Sequence, residues 1–591
     1  MKRLYLLFTI ALHFVFIETC AQQNFGMTYG SEVNFNVSST GDLFYTFFDE
    51  NLPGFEVPGG SGLKTIYASN LWVGGYDNAQ QLHVVAEKYQ MDGQDWYPGP
   101  LSNDGSAYTN DAIMEQWNRV WIANSADIAN HIAYFDYLSG GGINPFPDGY
   151  DIPEWFFDWP AHGDVTLNQD FYIAPFNDYN GNAHYDPENG DSPCICGDVC
   201  MFFVINDQGG LHTESLGLPL GIEVHGMIYM FETDPGDPLY RTVFLHYKIH
   251  NRGTNTLNET CFGLWADFDI GSYFDDFVAT NVQRSSILGY NGDELDEPTS
   301  GSLGYAENTP IQSIMFLAGP QLDADFLDNE MPNEIVQAGY EAYGKYAFGF
   351  GDGISDNERW GLTSSSYYNN STNPISGEPT DAEGYNKHLR PRTIPSALEG
   401  APDETIAYWF PGESDPYNTG LDETLIDNWS EITSANAPGD RRMVGATGPV
   451  TFSPSSIKEI DLAFVFTQKS EAGEIDHLTF HDTREAEVKA FFDANLVDCQ
   501  SNSIPTGIEE LKEINQLIIF PNPNNGVFHI KTDSNLNGGV LEILNVQGEL
   551  VYSAKMRDEL SKVVIPDLAP GVYQLVVRND KGVKLSRLIV N

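Results

Sequence analysis

Val243-Phe244-Leu245-His246-Tyr247-Lys248-Ile249 is an apolar run with polar residues at alternate late positions, and it stops at Asn251-Arg252-Gly253. A run of that length with two-residue alternation suits a strand, and the Asn/Gly segment suits a turn. Cys261-Phe262-Gly263-Leu264-Trp265 follows the loop, so the two runs are expected to pair as antiparallel neighbours. Leu71-Trp72-Val73 with Leu82 to Ala86, and Leu462-Ala463-Phe464-Val465-Phe466, read as strands on either side of this centre. Helix signal is sparse: Asp482-Thr483 can cap a face made by Val488, Phe491, Phe492 and Leu496. No repeat of fixed period marks a propeller or solenoid. The expected fold is mainly β, with residues 22–505 forming a body of packed β-sandwiches carrying long loops.

Composition supports that reading and excludes some functions. Of 591 residues, 41% are hydrophobic and 13% aromatic, ample for buried cores, while 56 Gly and 33 Pro supply turns. The formal net charge is −55, from 29 Lys+Arg and 84 Asp+Glu. Nucleic acid and anionic membrane faces need clustered positive charge, so neither is an expected partner. Residues 507–591 hold 9 basic and 10 acidic residues and residues 1–21 hold 2 and 1, which leaves 18 and 73 in residues 22–506. The acidity therefore belongs to the body. At the start, Lys2-Arg3, an apolar run from Leu4 to Ile17, and Thr19-Cys20-Ala21 fit a secretory signal peptide over residues 1–21, cleaved after Ala21.

After Cys499 the text changes to linker composition, Ser501 to Gly507, followed by a charged segment, so residues 506–516 are assigned to a linker. Residues 517–591 then hold seven short apolar runs, from Leu517–Phe520 to Val583–Val590, separated by turn signals, and read as a small Ig-like β-sandwich. Phe520-Pro521-Asn522-Pro523-Asn524-Asn525-Gly526, Leu544 to Val551, Leu568-Ala569-Pro570-Gly571-Val572-Tyr573 and Lys584 to Val590 occur here in order. In these blocks the domain resembles the type A C-terminal sorting domain of the type IX secretion system of Bacteroidetes. The resemblance implies export across the outer membrane to the cell surface or medium, with the type IX machinery and its sortase-like processing enzyme as partners. It also implies release or anchoring to surface lipopolysaccharide. Within the body, Tyr67 to Gly75, Trp96 to Leu101, Trp159 to Gly163, Asp352 to Trp360 and Gly439 to Met443 resemble blocks of large exported Bacteroidetes proteins of unassigned activity.

Two acidic segments carry the candidate chemistry. In Asp178-Tyr179-Asn180-Gly181-Asn182-Ala183-His184-Tyr185-Asp186, the residues Asp178, Asn180, Asn182 and Asp186 sit at offsets 1, 3, 5 and 9 of a calcium loop. Alternate oxygens there converge on a hard cation; His184, at offset 7, offers its carbonyl, and Asp191 or Glu188 closes the loop. Ala183 stands where an EF-hand has its turn glycine and Asn189 where it has Glu, so a helix-free calcium loop is expected, of weak extracellular affinity, about 10⁻⁴ to 10⁻³ M. A plain Asx-turn loop is the alternative. The second segment holds Asp267, Asp269, Asp275 and Asp276. Asp267 and Asp269 point to one side of a strand, and Gly271 lets the later pair return toward them, which would require calcium or raised pKa values; solvated loop acids are the alternative. Asp293, Asp296, Asp352 and Asp356 are weaker candidates of the same type.

Motifs for catalysis are missing: the chain has no Gly-x-Ser-x-Gly elbow, His-Glu-x-x-His site, Walker loop or Rossmann fingerprint. Cys194, Cys196 and Cys200 are spaced for a disulfide in an oxidising compartment rather than for zinc. His162, His212, His225 and Glu223 read as packing or loop residues, and Trp72, Trp96, Trp155, Trp159 and Trp265 as loop pins more than sugar platforms. Three functional readings remain. The first is a non-catalytic, calcium-stabilised surface or secreted protein with a binding, adhesion or matrix role toward a carbohydrate or protein ligand. The second is a secreted hydrolase using paired carboxylates on polysaccharide or peptide. The third is a structural subunit that assembles through exposed edges.

Overall fold

The computed structural model describes residues 25–495, apart from 29–30, 48, 50, 90–92, 300, 340–342, 372–375, 394–404 and 416–427, and, toward the C-terminus, residues 518–520, 526–531, 540–544, 550–555, 560–565, 568, 571–579 and 582–590. The expected leader and linker lie outside these residues. The chain divides into two compact units, residues 1–504 and 505–591, and the described residues are mainly β.

Two large sheets frame the first unit, beside three two-stranded ones. One has eight strands, in the order Phe25–Met27, Asn34–Ser38, Phe55–Glu56, Lys64–Tyr76, Leu257–Phe268, Arg441–Phe452, Ser364–Tyr368, with Leu82–Val85 also on Lys64–Tyr76. The other has nine and centres on Pro310–Ala318, Ile457–Gln468, Thr242–Asn251, Ile222–Met230 and Val199–Asn206. Their inner faces share one core, in which Leu71, Phe262 and Phe452 meet Leu245, Phe316 and Phe464.

The outer faces are covered as well. Phe244 and Val465 pack under Val488 and Phe492 of helix His477–Ala494. Trp72 and Trp265, stacked at 6.1 Å, lie under Tyr385 of helix Ala382–His388. With both faces buried, central strands are apolar on both sides, as in Pro310–Ala318, where every residue is buried.

The expected pairing of the opening run with Cys261–Trp265 does not occur. Thr242–Asn251 lies between Ile222–Met230 and Ile457–Gln468 in one sheet, and Leu257–Phe268 lies between Lys64–Tyr76 and Arg441–Phe452 in the other. The connection crosses between sheets, where Asn251 Nδ2 donates to the carbonyls of Asn255 (3.0 Å) and Phe452 (2.9 Å) and ties the two layers together. Helix His477–Ala494 also starts earlier than read: Asp476 caps it by accepting from Thr479 N at 3.1 Å. Its first turns dock through polar contacts, His481 Nδ1 to Thr467 Oγ1 (2.8 Å) and His481 Nε2 to Ser313 Oγ (2.9 Å), which apolar periodicity cannot reveal.

In the second unit all seven expected runs are strands, arranged as a three-stranded and a four-stranded antiparallel sheet. Phe528, Ile530 and Val563 of the first face Leu541, Ile543, Leu575, Val577 and Leu588 of the second, a small β-sandwich. The turn motifs Pro521–Asn525 and Asn545–Glu549 lie outside the described residues.

Candidate metal sites

The loop from Asp178 to Asp191 is closed at its neck by a ladder between Phe176–Asn177 and Ser192–Pro193. Asp178 accepts from the backbone N–H groups of Gly181 (2.7 Å), Asn182 (3.1 Å) and Ala183 (2.7 Å). The chain can coil this tightly because Gly181 and Ala183 adopt φ of 72° and 65°, so Ala183 takes the left-handed turn that a glycine would take at little cost. Asp191, fully buried, accepts from Tyr179 N (2.8 Å) and Asp186 N (2.9 Å) and so bridges the two ends of the loop. Asn180, Asn182 and Asn189 turn their amide N–H groups onto Asp186 at 2.8, 3.0 and 3.0 Å.

Asp178, Asn180, Asn182, Asp186 and Asp191 are thus tied into one loop by Asx-type hydrogen bonds, as the plain-turn alternative also expects, and no three of its carboxylates meet within 4.8 Å as those of the clusters below do. Burial pushes the Asp191 carboxyl up to about 6, helped by the charges of Asp186 and Asp178. For Asp186, burial is outweighed by the asparagine amides, which hold it below the usual carboxylate range. Carboxylate and amide oxygens are the donor set that calcium takes, and the amide N–H groups supply part of the neutralisation a cation would supply. The His184 ring packs on Phe171 and His162, with centroids at 5.1 and 5.8 Å. His162 anchors the loop, since its Nε2 accepts from Tyr185 N at 2.8 Å.

The second acidic segment splits. Asp267 and Asp269 do point to one side, but the residue that joins them is Asp440, at the entrance of the neighbouring strand; one oxygen of each lies within 4.8 Å of the other two. Arg442, directly opposite Asp267 in the ladder, sends Nε to Asp267 Oδ1 (3.1 Å) and Nη1 to Asp440 Oδ1 (2.8 Å). The Tyr89 hydroxyl donates to Asp267 Oδ2. Burial pushes Asp267 up to about 7 against the pull of Arg442. Asp269 is raised well above its usual value, by burial first and then by Asp267 and Asp440. Facing the three acids are the Arg442 guanidinium and, toward Asp269, the Lys64 charge, so one negative charge is left over when all three are ionised, which a cation fits.

Asp275 does not join this cluster, and Asp276 approaches Asp269, whose charge adds to burial in raising its carboxyl, without entering the group of three. At Gly271 the chain turns away toward the other sheet with φ 67°, packed so closely on Asp296 that a Cβ there would lie 2.0 Å from a carboxylate oxygen. Asp276 opens the strand Asp276–Asn281, is fully buried, and accepts from Ile270 N at 3.0 Å. Asp275 instead meets Asp293 and Glu297 in a separate cluster nearer the surface, with oxygens within 4.8 Å. Asp296 accepts from Tyr305 N and Ser272 N, Asp352 from Ile354 N, and Asp356 from Asp325 N and Phe326 N, so these three act as loop staples.

Among the histidines, Glu223, His225 and His250 are buried together. Arg252 Nη2 and Nε reach Glu223 at 2.7 and 3.2 Å, Leu101 N donates to it at 2.7 Å, and His225 Nε2 meets it at 2.7 Å. Burial would raise Glu223, but Arg252 and His225 hold it below the carboxylate range, while burial pushes both histidines down. A guanidinium already occupies the cation position, so this group is a structural lock. His212 faces two backbone carbonyls, of Val84 and Asp207. Trp72, Trp96, Trp159 and Trp265 are core residues, and Trp155 donates to Asp127 at 3.0 Å. Cys196 is disulfide-bonded; Cys200 and Cys261 are buried thiols, and burial pushes Cys261 up to about 11.

Asp440, Arg442, Tyr89 and His250 were not singled out as site residues from the sequence. Asp440 and Arg442 lie within a quoted block, Gly439 to Met443, but only strand pairing brings them to Asp267.

Residues 518–591 match the family model of the secretion system C-terminal sorting domain. The chain is therefore sorted by type IX secretion, engages that machinery, and is delivered to the cell surface or the extracellular space. No helix among the described residues is long and apolar enough to cross a membrane. No curated protein matches the chain. Among solved structures, the BSP domain of a biofilm-associated protein is 8% identical, with 59% of this chain and 60% of that chain covered and a TM-score of 0.12. PorZ, a surface component of the type IX secretion system of Porphyromonas gingivalis, is 9% identical, with 96% and 75% covered and a TM-score of 0.12. At such scores neither likeness carries an argument.

Proposed function

We propose, for a chain that ends in a type IX sorting domain, that the acidic body is a non-catalytic binding, adhesion or matrix protein of the cell surface whose loops are held by calcium. The observation that carries this reading is the convergence of Asp267, Asp269 and Asp440 on one point beside a single arginine, two of them with carboxyls pushed upward. The loop from Asp178 to Asp191 supports it with an all-oxygen donor set from side chains. In the proposed calcium-loaded protein, Asp178, Asp186 and Asp191 with the amide oxygens of Asn180 and Asn182 hold one ion, and Asp267, Asp269 and Asp440 hold another. Calcium supplies charge neutralisation there and no chemistry. The non-catalytic part rests on access: Asp267 is 2% exposed and engaged by Arg442 and Tyr89, a poor position for attacking a polymer.

The proposed route is a cleaved leader at residues 1–21, export, and removal of the sorting domain by a sortase-like enzyme, with release or anchoring to surface lipopolysaccharide. Thermal unfolding of the full chain at pH 7.5 tests the calcium reading. With 5–10 mM calcium, roughly tenfold above a weak extracellular dissociation constant, the gain over EGTA is expected to be about 1.4 kcal/mol or more per site. An unchanged melting temperature would remove calcium from the account.

A further inference from the structure

Away from the acidic sites, a cleft of about 410 Å³ opens beside the hairpin of Tyr346–Phe348 and Arg359–Trp360. Its lining includes three aromatic rings. The Tyr346 and Phe350 rings stand edge to face at 5.2 Å and 88°, Phe350 and Trp360 at 5.9 Å and 40°, and Tyr346 and Trp360 at 6.4 Å and 53°. At these separations the rings pack on one another and present an uneven aromatic patch to the cleft, unlike the flat platform on which a sugar face stacks. Asp323, Asp325 and Glu330 also line the cleft, and no Lys, Arg or His does.

The frame is built firmly. Trp360 is held on both backbone sides, by Gly319 N donating to its carbonyl at 2.5 Å and by its own N–H donating to Pro320 O at 3.2 Å. Asp328 accepts from Gly351 N (2.8 Å) and Gly353 N (2.7 Å), fixing the turn after Phe350. Asp323 is occupied by Thr451 N and lies within reach of the Lys458 charge. Asp325 accepts only from Leu327 N, at 2.9 Å, and Glu330 makes no hydrogen bond or ion pair among the described residues. A cation already sits over Tyr346 from outside, Lys345 Nζ at 5.3 Å from the ring centre.

We propose that this cleft receives the side chain of a lysine or arginine presented by a partner polypeptide. The cationic head would lie against the Tyr346, Phe350 and Trp360 rings, with Asp325 and Glu330 as counter-ions. Aromatic faces attract cations through the ring quadrupole, and carboxylates at the rim add charge complementarity. The volume exceeds a bare ammonium and accommodates the aliphatic stem as well. A body carrying all of the −55 charge steers basic partners toward it over the longer range.

This inference gives the proposed binding role a partner class, and its geometry is independent of the calcium sites, so titrations run in calcium and in EGTA keep failure of one apart from failure of the other. The probes are Nα-acetyl-argininamide and Nα-acetyl-lysinamide, with the uncharged isostere Nα-acetyl-citrullinamide as control, titrated into the full chain by calorimetry at low salt. Both cations are expected to bind in the roughly millimolar range, and citrullinamide about tenfold more weakly. Asp325→Asn with Glu330→Gln, both at exposed positions, is expected to weaken argininamide about three- to tenfold, and Phe350→Leu to do the same. Equal binding of citrullinamide, unchanged affinity in the Asp325/Glu330 double variant, or no binding of either cation to folded protein would overturn the proposal.

Discussion

Replacing Arg442 by Leu is expected to destabilise the body by about 3–5 kcal/mol, because it removes the guanidinium paired with Asp267 and Asp440 and leaves three acids with the Lys64 charge as the nearby cation. The Arg442 side chain is 8% exposed, so water cannot replace it. Tryptophan fluorescence reads the body alone, since all ten tryptophans lie between Trp72 and Trp429. The urea midpoint should fall at constant slope. Asp267→Asn made in the same chain should recover part of the loss, because the two residues are directly coupled, and added calcium should recover part of it too. A loss below about 1 kcal/mol would mean that the cluster is not held by this arginine.

The second large effect is on pH. Asp267 and Asp191 have folded pKa values of about 7 and about 6, above their usual 3.8. A raised carboxyl favours the protonated folded state, so the stability it contributes is complete below about pH 4 and is lost as pH rises through 6 and 7. Buried histidines act in the opposite sense over part of that range: His477 and His481 are pushed down to about 4 and about 3 and contribute stability as pH rises. The difference between calcium and EGTA cancels those histidines. Calcium binds the ionised carboxylates, so its stabilisation is expected to be smallest at pH 5 and to grow as pH rises through 6 and 7, where Asp191 and Asp267 ionise. Melting curves in both solutions across that range check it. A calcium effect that is constant from pH 5 to 8 would exclude Asp267 and Asp191 as ligands.

What the sequence made legible follows from which interactions are local. The seven strands of the C-terminal unit stand out because each apolar run is bounded by its own turn signal, and all seven are strands. Asp267 and Asp269 share a side because the strand period is two, which needs no partner to establish. Their completion by Asp440 and Arg442 was not legible, since Arg442 lies 175 residues away and only the ladder between Leu257–Phe268 and Arg441–Phe452 sets them opposite. Beyond Gly271 the chain enters the other sheet, which carries Asp275 to Asp293 and Glu297 while Asp276 still comes within reach of the Asp269 charge, a division that strand period and a turn glycine do not reveal. The opening run was identified as a strand but given the wrong neighbour: with both faces buried, its pattern carries no mark of which sheet it joins. In the loop from Asp178 to Asp191 the turn chemistry was legible, because Asx turns and the neck ladder are local.

Calorimetric titration of calcium into the EGTA-stripped full chain at pH 7.5 tests the central claim most directly, with Asp186→Ala and Asp269→Ala as companions. Saturable binding is expected at about 10⁻⁴ to 10⁻³ M, with each variant losing one part of the heat and retaining the other. Absence of saturable binding, or binding untouched by both substitutions, would contradict it.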